Sequence, residues 1–240
     1  MIFSLRRQPA WFEKLGRPTG RGVRVGMIGT GYDNDDPNPR VLPGLGFVDP
    51  SDDFAVLRTV DDHDRIGHGT DAARLILRMA PDARVVPIRI YGEGLESSGG
   101  TLHGALGWAV EEKLDVVCIE ASLIQELIKP IYVACEKARR SGIILVCGAN
   151  PRKDMDCPAA FEPVIGVLQG RFDSPYEFRY HADARYEVEG WGEPVDVPEK
   201  VSGQLYAAPT VAGIVALLRE RHPGATLEDI RQLLQQFSVR

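Results

Sequence analysis

The residue best suited to chemistry in this sequence is His68, the second residue of a Gly-His-Gly-Thr motif. An imidazole has an ordinary pKa of about 6.5, so a histidine in a cleft can act as a general base at neutral pH. A histidine at the start of a helix can also simply pack or hydrogen-bond without taking part in a reaction. The sequence identifies no partner that would orient the imidazole, and we therefore favour the structural role.

Cysteines and aspartates are the other side chains that bind metals or charged ligands. The cysteines lie in or beside apolar runs and lack the paired short spacings of zinc sites, so we expect buried thiols in a reducing compartment and assign no metal site. The aspartates between residues 33 and 64 predict a solvated loop region, or alternatively a site for a cation or a basic peptide. The cysteines are Cys118, Cys135, Cys147 and Cys157, and the aspartates are Asp33, Asp35, Asp36, Asp49, Asp52, Asp53, Asp61, Asp62 and Asp64.

The composition is that of an ordinary soluble globular protein. The chain has 240 residues, of which 44% are hydrophobic and 26% charged, and this length can bury one large core. A formal charge of -6 disfavours nucleic acids and anionic membranes as partners, since both attract a basic face. The N-terminus has no uninterrupted apolar stretch of the length that a secretory signal needs, and no segment approaches the roughly 20 apolar residues of a membrane span. We therefore expect a cytoplasmic protein, and we predict no cofactor.

Hydrophobic patterning predicts an α/β fold with a mostly parallel sheet covered by helices on both faces. Short runs rich in valine and isoleucine alternate with segments whose apolar residues recur at helical spacing. Thr226 is a suitable N-cap for the last helix. The interval 171–202 is polar and punctuated by prolines, which predicts an antiparallel excursion or a loop. The predicted strands are 23–28, 84–90, 114–119, 142–147 and 164–168, and the predicted helices are 101–113, 130–140, 207–221 and 227–237.

Three short segments resemble the catalytic signatures of the subtilisin proteases, and they stand in the order in which that family has them. Residues 23–31 resemble the strand that ends in Asp-Thr-Gly, and residues 67–70 match the histidine motif in full. Residues 203–209 have the form of the nucleophile motif Gly-Thr-Ser-Met-Ala-Ala-Pro. The shared order makes a coincidental match unlikely in a chain of this length.

Further matches extend the resemblance over about residues 20–238, nearly the whole chain. The resemblance implies the three-layer subtilisin α/β fold, formed by a single domain at 21–240 behind an N-terminal extension at 1–20. Family proteases usually carry a prodomain, and we expect none here. The additional matching segments are 80–90, 108–119, 142–150, 157–167 and 209–218.

Two of the three catalytic positions implied by the resemblance hold residues that cannot do the family's chemistry. Gly29 stands at the position of the aspartate and Leu205 at that of the serine. An isobutyl side chain cannot form an acyl-enzyme, and a glycine leaves His68 without its orienting carboxylate. Asn150 matches the family's oxyanion donor and can still polarise a carbonyl. Residues that could substitute for the missing groups, but that we expect not to, are Asp33 as the acid and Tyr206 or Cys147 as the nucleophile.

The family holds substrates as an extended strand between two backbone segments, and both segments have counterparts here. The resemblance places them at 96–101 and 118–122, and Glu120 departs from the family's Ser-Leu-Gly-Gly run in the second. A carboxylate there would favour a basic side chain in the ligand. The glycines of the first segment would let another backbone approach closely, or they simply form a loop before a helix. The predicted peptide-binding residues are Ser98, Gly99, Gly100, Glu120, Ala121, Ser122, Cys147 and Gly148.

Two function hypotheses follow from these residues. The first is a catalytically inactive subtilisin homologue that binds a peptide or a partner protein through the former substrate cleft, such as a precursor peptide, a protease or a modifying enzyme. The second is a non-proteolytic enzyme in which His68 acts as general base and Asn150 as oxyanion donor on a peptide substrate. A purely structural subunit with a closed cleft is a weaker third possibility.

Overall fold

A nine-stranded sheet forms the centre of the molecule, with six helices around it. The computed structural model describes residues 8–49, 56–92, 94, 97–121, 127–150, 156–192 and 206–239, and all of these elements lie in those ranges. The strands are β1 (Arg24–Gly29), β2 (Leu45–Val48), β3 (Leu57–Thr59), β4 (Arg84–Arg89), β5 (Val116–Ile119), β6 (Ile144–Gly148), β7 (Val164–Gly170), β8 (Phe178–Tyr180) and β9 (Val188–Trp191). The helices are α1 (Ala10–Lys14), α2 (His68–Met79), α3 (Gly99–Glu111), α4 (Ile128–Arg140), α5 (Ala207–Arg221) and α6 (Leu227–Phe237).

The strands are arranged in the order β3-β2-β4-β1-β5-β6-β7-β9-β8. All neighbours from β2 to β9 pair in parallel, and the two outermost strands, β3 and β8, pair antiparallel with β2 and β9. The predicted α/β class with a mostly parallel sheet is therefore confirmed. The short strands β2 and β3 were not predicted, because three or four residues carry too little periodicity to be recognised.

Alternate side chains of the central strands feed two separate apolar cores, one on each face of the sheet. On β1, Val25 and Met27 pack with α1, α2, α5 and α6, whereas Ile28 packs on the opposite face with α3 and α4. Successive side chains of a strand point to opposite faces, so a strand covered on both faces must be apolar at every position. This requirement explains the continuous valine and isoleucine runs of β1, β4, β5 and β6.

Helix α5 is buried around its whole circumference for most of its length. It packs against strands β5, β6, β7 and β9 and against α2, and the residues from Ala207 to Leu218 are buried without exception. A helix that is apolar on all sides is one enclosed by other elements. The segment that resembles the family's nucleophile helix is thus the central helix of this fold.

The polar interval after β7 forms an edge of the sheet within the described residues 171–192. Strands β8 and β9 form an antiparallel pair there, while β9 also pairs in parallel with β7. The predicted antiparallel excursion is confirmed over this part of the interval. In the part of the chain that the structure describes, no helix combines the length and the apolar character that crossing a bilayer requires.

Candidate functional site

Three elements bring the candidate site together at the carboxyl edge of the parallel strands. Strand β1 ends at Gly29, helix α2 begins at His68, and Glu120 directly follows β5. Ile28 and Ile119 are paired across β1 and β5, and the backbone N–H of Glu120 donates to the carbonyl of Ile28 at 2.9 Å. Residues 29 and 120 therefore leave the sheet side by side.

The imidazole of His68 contacts the carboxylate of Glu120. Nε2 and Oε2 are 2.7 Å apart, and the two side chains are 12% and 2% exposed. The two atoms are within hydrogen-bonding distance, and they form an ion pair when the imidazole is protonated. Among the described residues, Oε1 of Glu120 has no hydrogen-bond partner. A carboxylate buried to this degree depends on the charge of its one neighbour.

This contact corrects two sequence predictions. His68 was predicted to lack an orienting carboxylate, and that prediction is wrong because Glu120 supplies one. Glu120 was also predicted to attract a basic ligand, but its carboxylate is buried against His68 and does not face an open pocket. The sequence carried no direct signal for the pair, since the two residues are far apart in the chain and belong to different motifs.

Gly29 makes room for the Glu120 side chain. A Cβ built on Gly29 would lie 3.7 Å from Cβ and 3.9 Å from Oε2 of Glu120, with Sδ of Met27 at 3.2 Å. An aspartate at position 29 would bring a second carboxylate into the same buried space, where like charges repel strongly. Carboxylates at positions 29 and 120 would therefore disfavour each other.

A network around Asp64 holds the beginning of α2 in place. Oδ1 of Asp64 accepts from the N–H groups of Ile66 and Gly67 at 2.9 and 2.8 Å, and Oδ2 accepts from N and Oγ1 of Thr70 at 2.8 and 2.7 Å. Asp64 is buried, unlike the solvated loop predicted for the aspartate-rich region. Gly67 and not Asp64 is the N-cap of α2, so the usual N-cap signal does not identify Asp64 in the sequence.

The loop after β1 is tied to the same helix start. Oγ1 of Thr70 accepts from the N–H of Asp33 at 2.9 Å, and the N–H of Gly69 donates to Oγ1 of Thr30 at 2.7 Å. A Cβ on Gly69 would lie only 2.2 Å from the carbonyl oxygen of Gly31, so only glycine fits there. The glycine of the Gly-His-Gly-Thr motif thus allows the His68 helix to approach β1 closely.

The charges around His68 raise its pKa above the ordinary value. Burial of the imidazole is the largest influence and lowers the pKa, but the charge of Glu120 and hydrogen bonding to it outweigh burial, with smaller contributions from Asp64 and Asp71. Tyr206 lies on another side of the imidazole, with the two ring centroids 6.1 Å apart. Burial, followed by the charges of Asp71 and Glu120, raises the pKa of the Tyr206 phenol.

Strand β6, the neighbour of β5 in the sheet, carries Cys147, whose side chain lies in the core. Its thiol donates to the carbonyl oxygens of Ala121 at 3.8 Å and of Gly148 at 3.5 Å. Complete burial, reinforced by nearby acids, raises its pKa well above the usual range, so the reactive thiolate is disfavoured. The backbone N–H of Asn150 donates to Asp156, which holds the start of the loop after β6.

The two predicted glycines of the peptide-binding segment have an internal packing role. Ser98 is the N-cap of α3, and its Oγ accepts from the N–H of Thr101 at 3.2 Å. A Cβ on Gly99 would lie 2.6 Å from Cδ1 of Leu127, and one on Gly100 would lie 2.9 Å from Cγ2 of Val56. The glycines therefore admit side chains of this same chain, which differs from the predicted approach of a ligand backbone.

The carbonyls at the end of β5 are also engaged within the chain. The Tyr91 hydroxyl donates to the Glu120 carbonyl at 3.1 Å, and burial as the main cause raises the Tyr91 pKa to about 12. The Cys147 thiol makes a weaker contact with the neighbouring carbonyl of Ala121, so both carbonyls have a partner within the chain. Two further predicted residues, Ser122 and Leu205, lie outside the described residues.

The chain is similar in sequence to serine proteases. The chain is 25% identical over 92% of its length to a thermostable alkaline protease of Halalkalibacterium halodurans, and 26% identical over 84% to an intracellular serine protease of Paenibacillus polymyxa. It spans 63% and 68% of the lengths of these two proteins. No family model matches the chain.

The fold is that of solved protease structures. A structure titled as proteases from Pseudoalteromonas arctica PAMC 21717 superimposes with a TM-score of 0.77 at 20% identity, covering 99% of this chain and 89% of that one. The homologues of this chain are thus subtilisin-family serine proteases, and its α/β fold is theirs. The predicted resemblance is confirmed at that level.

Proposed function

We propose that this chain is a non-proteolytic homologue of the subtilisin proteases that binds a peptide or a partner protein at the former substrate cleft. The observation that carries the proposal is the set of groups around His68. Its described neighbours are the Glu120 carboxylate and the Tyr206 ring, and the nucleophile position is occupied in the sequence by Leu205. Neither a carboxylate already paired with the imidazole nor a leucine can supply the attacking oxygen of a serine protease.

The two residues that could replace the serine are poorly suited to attack. Burial raises the pKa of the Tyr206 phenol, which favours its neutral and weakly nucleophilic form at neutral pH. The pKa of the Cys147 thiol is raised further, and the thiol is enclosed in the core. The named relatives are proteases, so the difference proposed here lies in the chemistry and not in the scaffold.

Binding is supported by the polar, partly exposed groups at the carboxyl edge of the sheet. Ser98 precedes α3, Gly148 ends β6 and Asn150 follows it, and all three are half-buried. In open parallel sheets this edge is where ligands bind, because loops and helix starts converge there. Because the carbonyls of Glu120 and Ala121 already have partners within the chain, we place the ligand strand beside Ser98 and Asn150.

A fluorophosphonate probe and fluorescein-labelled casein test the absence of proteolysis. We expect the wild-type chain to remain unlabelled by the probe and to cleave casein no faster than buffer, with a subtilisin as positive control. Labelling or cleavage that disappears in His68→Ala would contradict the proposal.

Fluorescence anisotropy of the same labelled casein tests binding. We expect saturable binding that is weakened at least about tenfold by Ser98→Trp, a loss of roughly 1.4 kcal/mol, because the indole fills the mouth of the cleft. Ser98→Ala is the matched control, since it removes the α3 cap without adding bulk and should change affinity less than about twofold. Equal weakening by both variants, or no binding at all, would count against a casein-binding cleft.

A second function is favoured by one observation, the contact between His68 and Glu120. A carboxylate next to an imidazole is the arrangement that makes histidine an effective general base, and Asn150 would steady the oxyanion of a peptide carbonyl. This enzyme would exchange the α-proton of a bound peptide with solvent. Deuterium incorporation into casein peptides in heavy water, abolished by His68→Gln, would favour this function over binding alone.

A further inference from the structure

We infer that Glu120 is the positioning residue of His68. Its carboxylate follows β5 and takes the place of one at the end of the neighbouring strand β1. It holds the imidazole by Nε2 and leaves Nδ1 for a ligand. This inference goes beyond the proposed function, because it applies whether the cleft only binds a peptide or also transfers a proton. It assigns a role to a residue that the sequence placed in the peptide-binding segment.

The pairing of β1 with β5 places Glu120 next to position 29. Because Ile28 pairs with Ile119, positions 29 and 120 are neighbours at the end of adjacent strands. The longer glutamate side chain reaches the space that Gly29 leaves empty, with Oε2 at 3.9 Å from where a Cβ of residue 29 would be. A carboxylate is thus retained beside the histidine although the residue that would carry it on β1 is a glycine.

Glu120 contacts a different imidazole nitrogen from the one that a triad carboxylate contacts. In a Ser-His-Asp triad the carboxylate binds Nδ1 of the histidine and Nε2 faces the nucleophile. Here Oε2 of Glu120 lies 2.7 Å from Nε2, so the nitrogen that would take the serine proton is the one in contact with the carboxylate. Nδ1 is the ring nitrogen that Glu120 does not touch. The pair is therefore reversed relative to a working protease, which agrees with the absence of a serine at position 205.

The other groups that face the imidazole do not replace Glu120. Asp64, in the loop before α2, is fully used by Ile66, Gly67 and Thr70, and Asp71 on α2 pairs with Arg74 at 2.9 Å. The ring of Tyr206, the N-cap of α5, also lies near the imidazole, with the two centroids 6.1 Å apart. Of these three acids, Glu120 is thus the one in direct contact with His68. Asp64 and Asp71 influence the imidazole only through their charges.

Nuclear magnetic resonance of the His68 imidazole nitrogens as a function of pH tests this inference. In the wild-type chain we expect a pKa above the ordinary value and, once the ring is neutral, the tautomer with the proton on Nε2. Glu120→Gln should lower the pKa below the ordinary value, since burial then dominates. Asp71→Asn is the matched control, because it removes a nearby charge that does not touch the ring, and it should leave the pKa raised.

Two results would overturn the inference. One is a neutral wild-type imidazole with its proton on Nδ1, a measurement that needs no variant and remains decisive even if Glu120→Gln does not fold. The other is a His68 pKa that is the same in Glu120→Gln as in the wild type. Neither result depends on whether the chain binds casein, so failure of this inference and failure of the proposed function are distinguishable.

Discussion

At the scale of single residues, Asp64 organises the turn that carries His68. Its two carboxylate oxygens accept hydrogen bonds from both sides of the α2 start, at Ile66, Gly67 and Thr70. Burial raises the pKa of Asp64, but the hydrogen bonds from Thr70, Ile66 and Gly67 together outweigh burial, and the net pKa is lowered from its model-compound value of 3.8. The charged form of Asp64 is therefore the one that stabilises the fold.

Replacing Asp64 by alanine should destabilise the chain by about 3 kcal/mol at pH 7, because several buried donors lose their acceptor. Asp64→Asn should cost less, because its carbonyl oxygen keeps part of the network. The measurement is urea denaturation followed by circular dichroism. Asp71→Ala, which removes only a partly exposed ion pair with Arg74, should change the free energy of unfolding by less than about 1 kcal/mol.

The lowered pKa of Asp64 also predicts how stability changes with pH. A group with a depressed folded pKa stabilises the protein above its unfolded pKa, and this contribution disappears as the pH falls through the folded value. The difference in unfolding free energy between wild type and Asp64→Asn should therefore be constant above about pH 5 and shrink below pH 3.8. A difference that stays constant down to pH 2 would show that the carboxylate charge is not what stabilises the turn.

At the scale of elements, the packing of α5 against α2 determines how closely the two helices approach. Gly213 lies in the middle of α5, and a Cβ there would meet Cβ of Met79 at 2.4 Å and the carbonyl oxygen of Ile76 at 3.3 Å. Gly107, in the middle of α3, has no atom within 4 Å of the same position. The two glycines have the same local conformation but opposite surroundings.

Alanine substitutions at these two glycines should have opposite effects on stability. Gly107→Ala should stabilise the chain by about 0.5–1 kcal/mol, because alanine favours helix and nothing obstructs its methyl group. Gly213→Ala should destabilise it by about 1–3 kcal/mol, because the overlap with Met79 exceeds the gain in helix propensity. Thermal unfolding of both variants checks this, and stabilisation by both would mean that α2 and α5 separate easily.

At the scale of the whole molecule, the first and last described helices, α1 and α6, meet at one edge of the sheet. Trp11 of α1 stacks on Phe237 of α6, with ring centroids 5.7 Å apart, and its edge contacts Phe178 of β8 at 6.3 Å. The Trp11 Nε1–H donates to the Tyr176 carbonyl at 3.3 Å, and the N–H of Val239 donates to the Phe178 carbonyl at 2.9 Å. The antiparallel edge strand is thus covered by both terminal helices.

Trp11→Ala should destabilise the chain by about 3–5 kcal/mol, because it opens a cavity shared by three distant segments. Trp11→Phe should retain more than half of that stability, since it keeps an aromatic ring in place. Tyr132→Ala provides a comparison, because this partly exposed ring on α4 contacts Phe161 at the surface and should cost about 1 kcal/mol or less. Equal losses of stability in the Trp11 and Tyr132 variants would show that the packing of α1 against α6 contributes little to the core.

The sequence by itself determined the fold class, the His68 motif and the glycine at position 29. Each of these is a local property: the valine-rich runs, the helical spacing and the short motifs are visible within a few neighbouring residues. The resemblance to the subtilisin proteases rests on the order of such segments, and that order can be read from the sequence without knowing any contacts. The predicted strands that correspond to β1, β4, β5, β6 and β7 all lie in the central sheet for this reason.

Only the tertiary structure decided what His68 touches. Glu120 becomes its partner because β1 and β5, about 90 residues apart in the chain, pair in a register that aligns Ile28 with Ile119. The same is true of Gly99 and Gly100, whose absent side chains make room for Leu127 and Val56. Contacts of this kind depend on the positions of several elements at once, and no local pattern of residues encodes them.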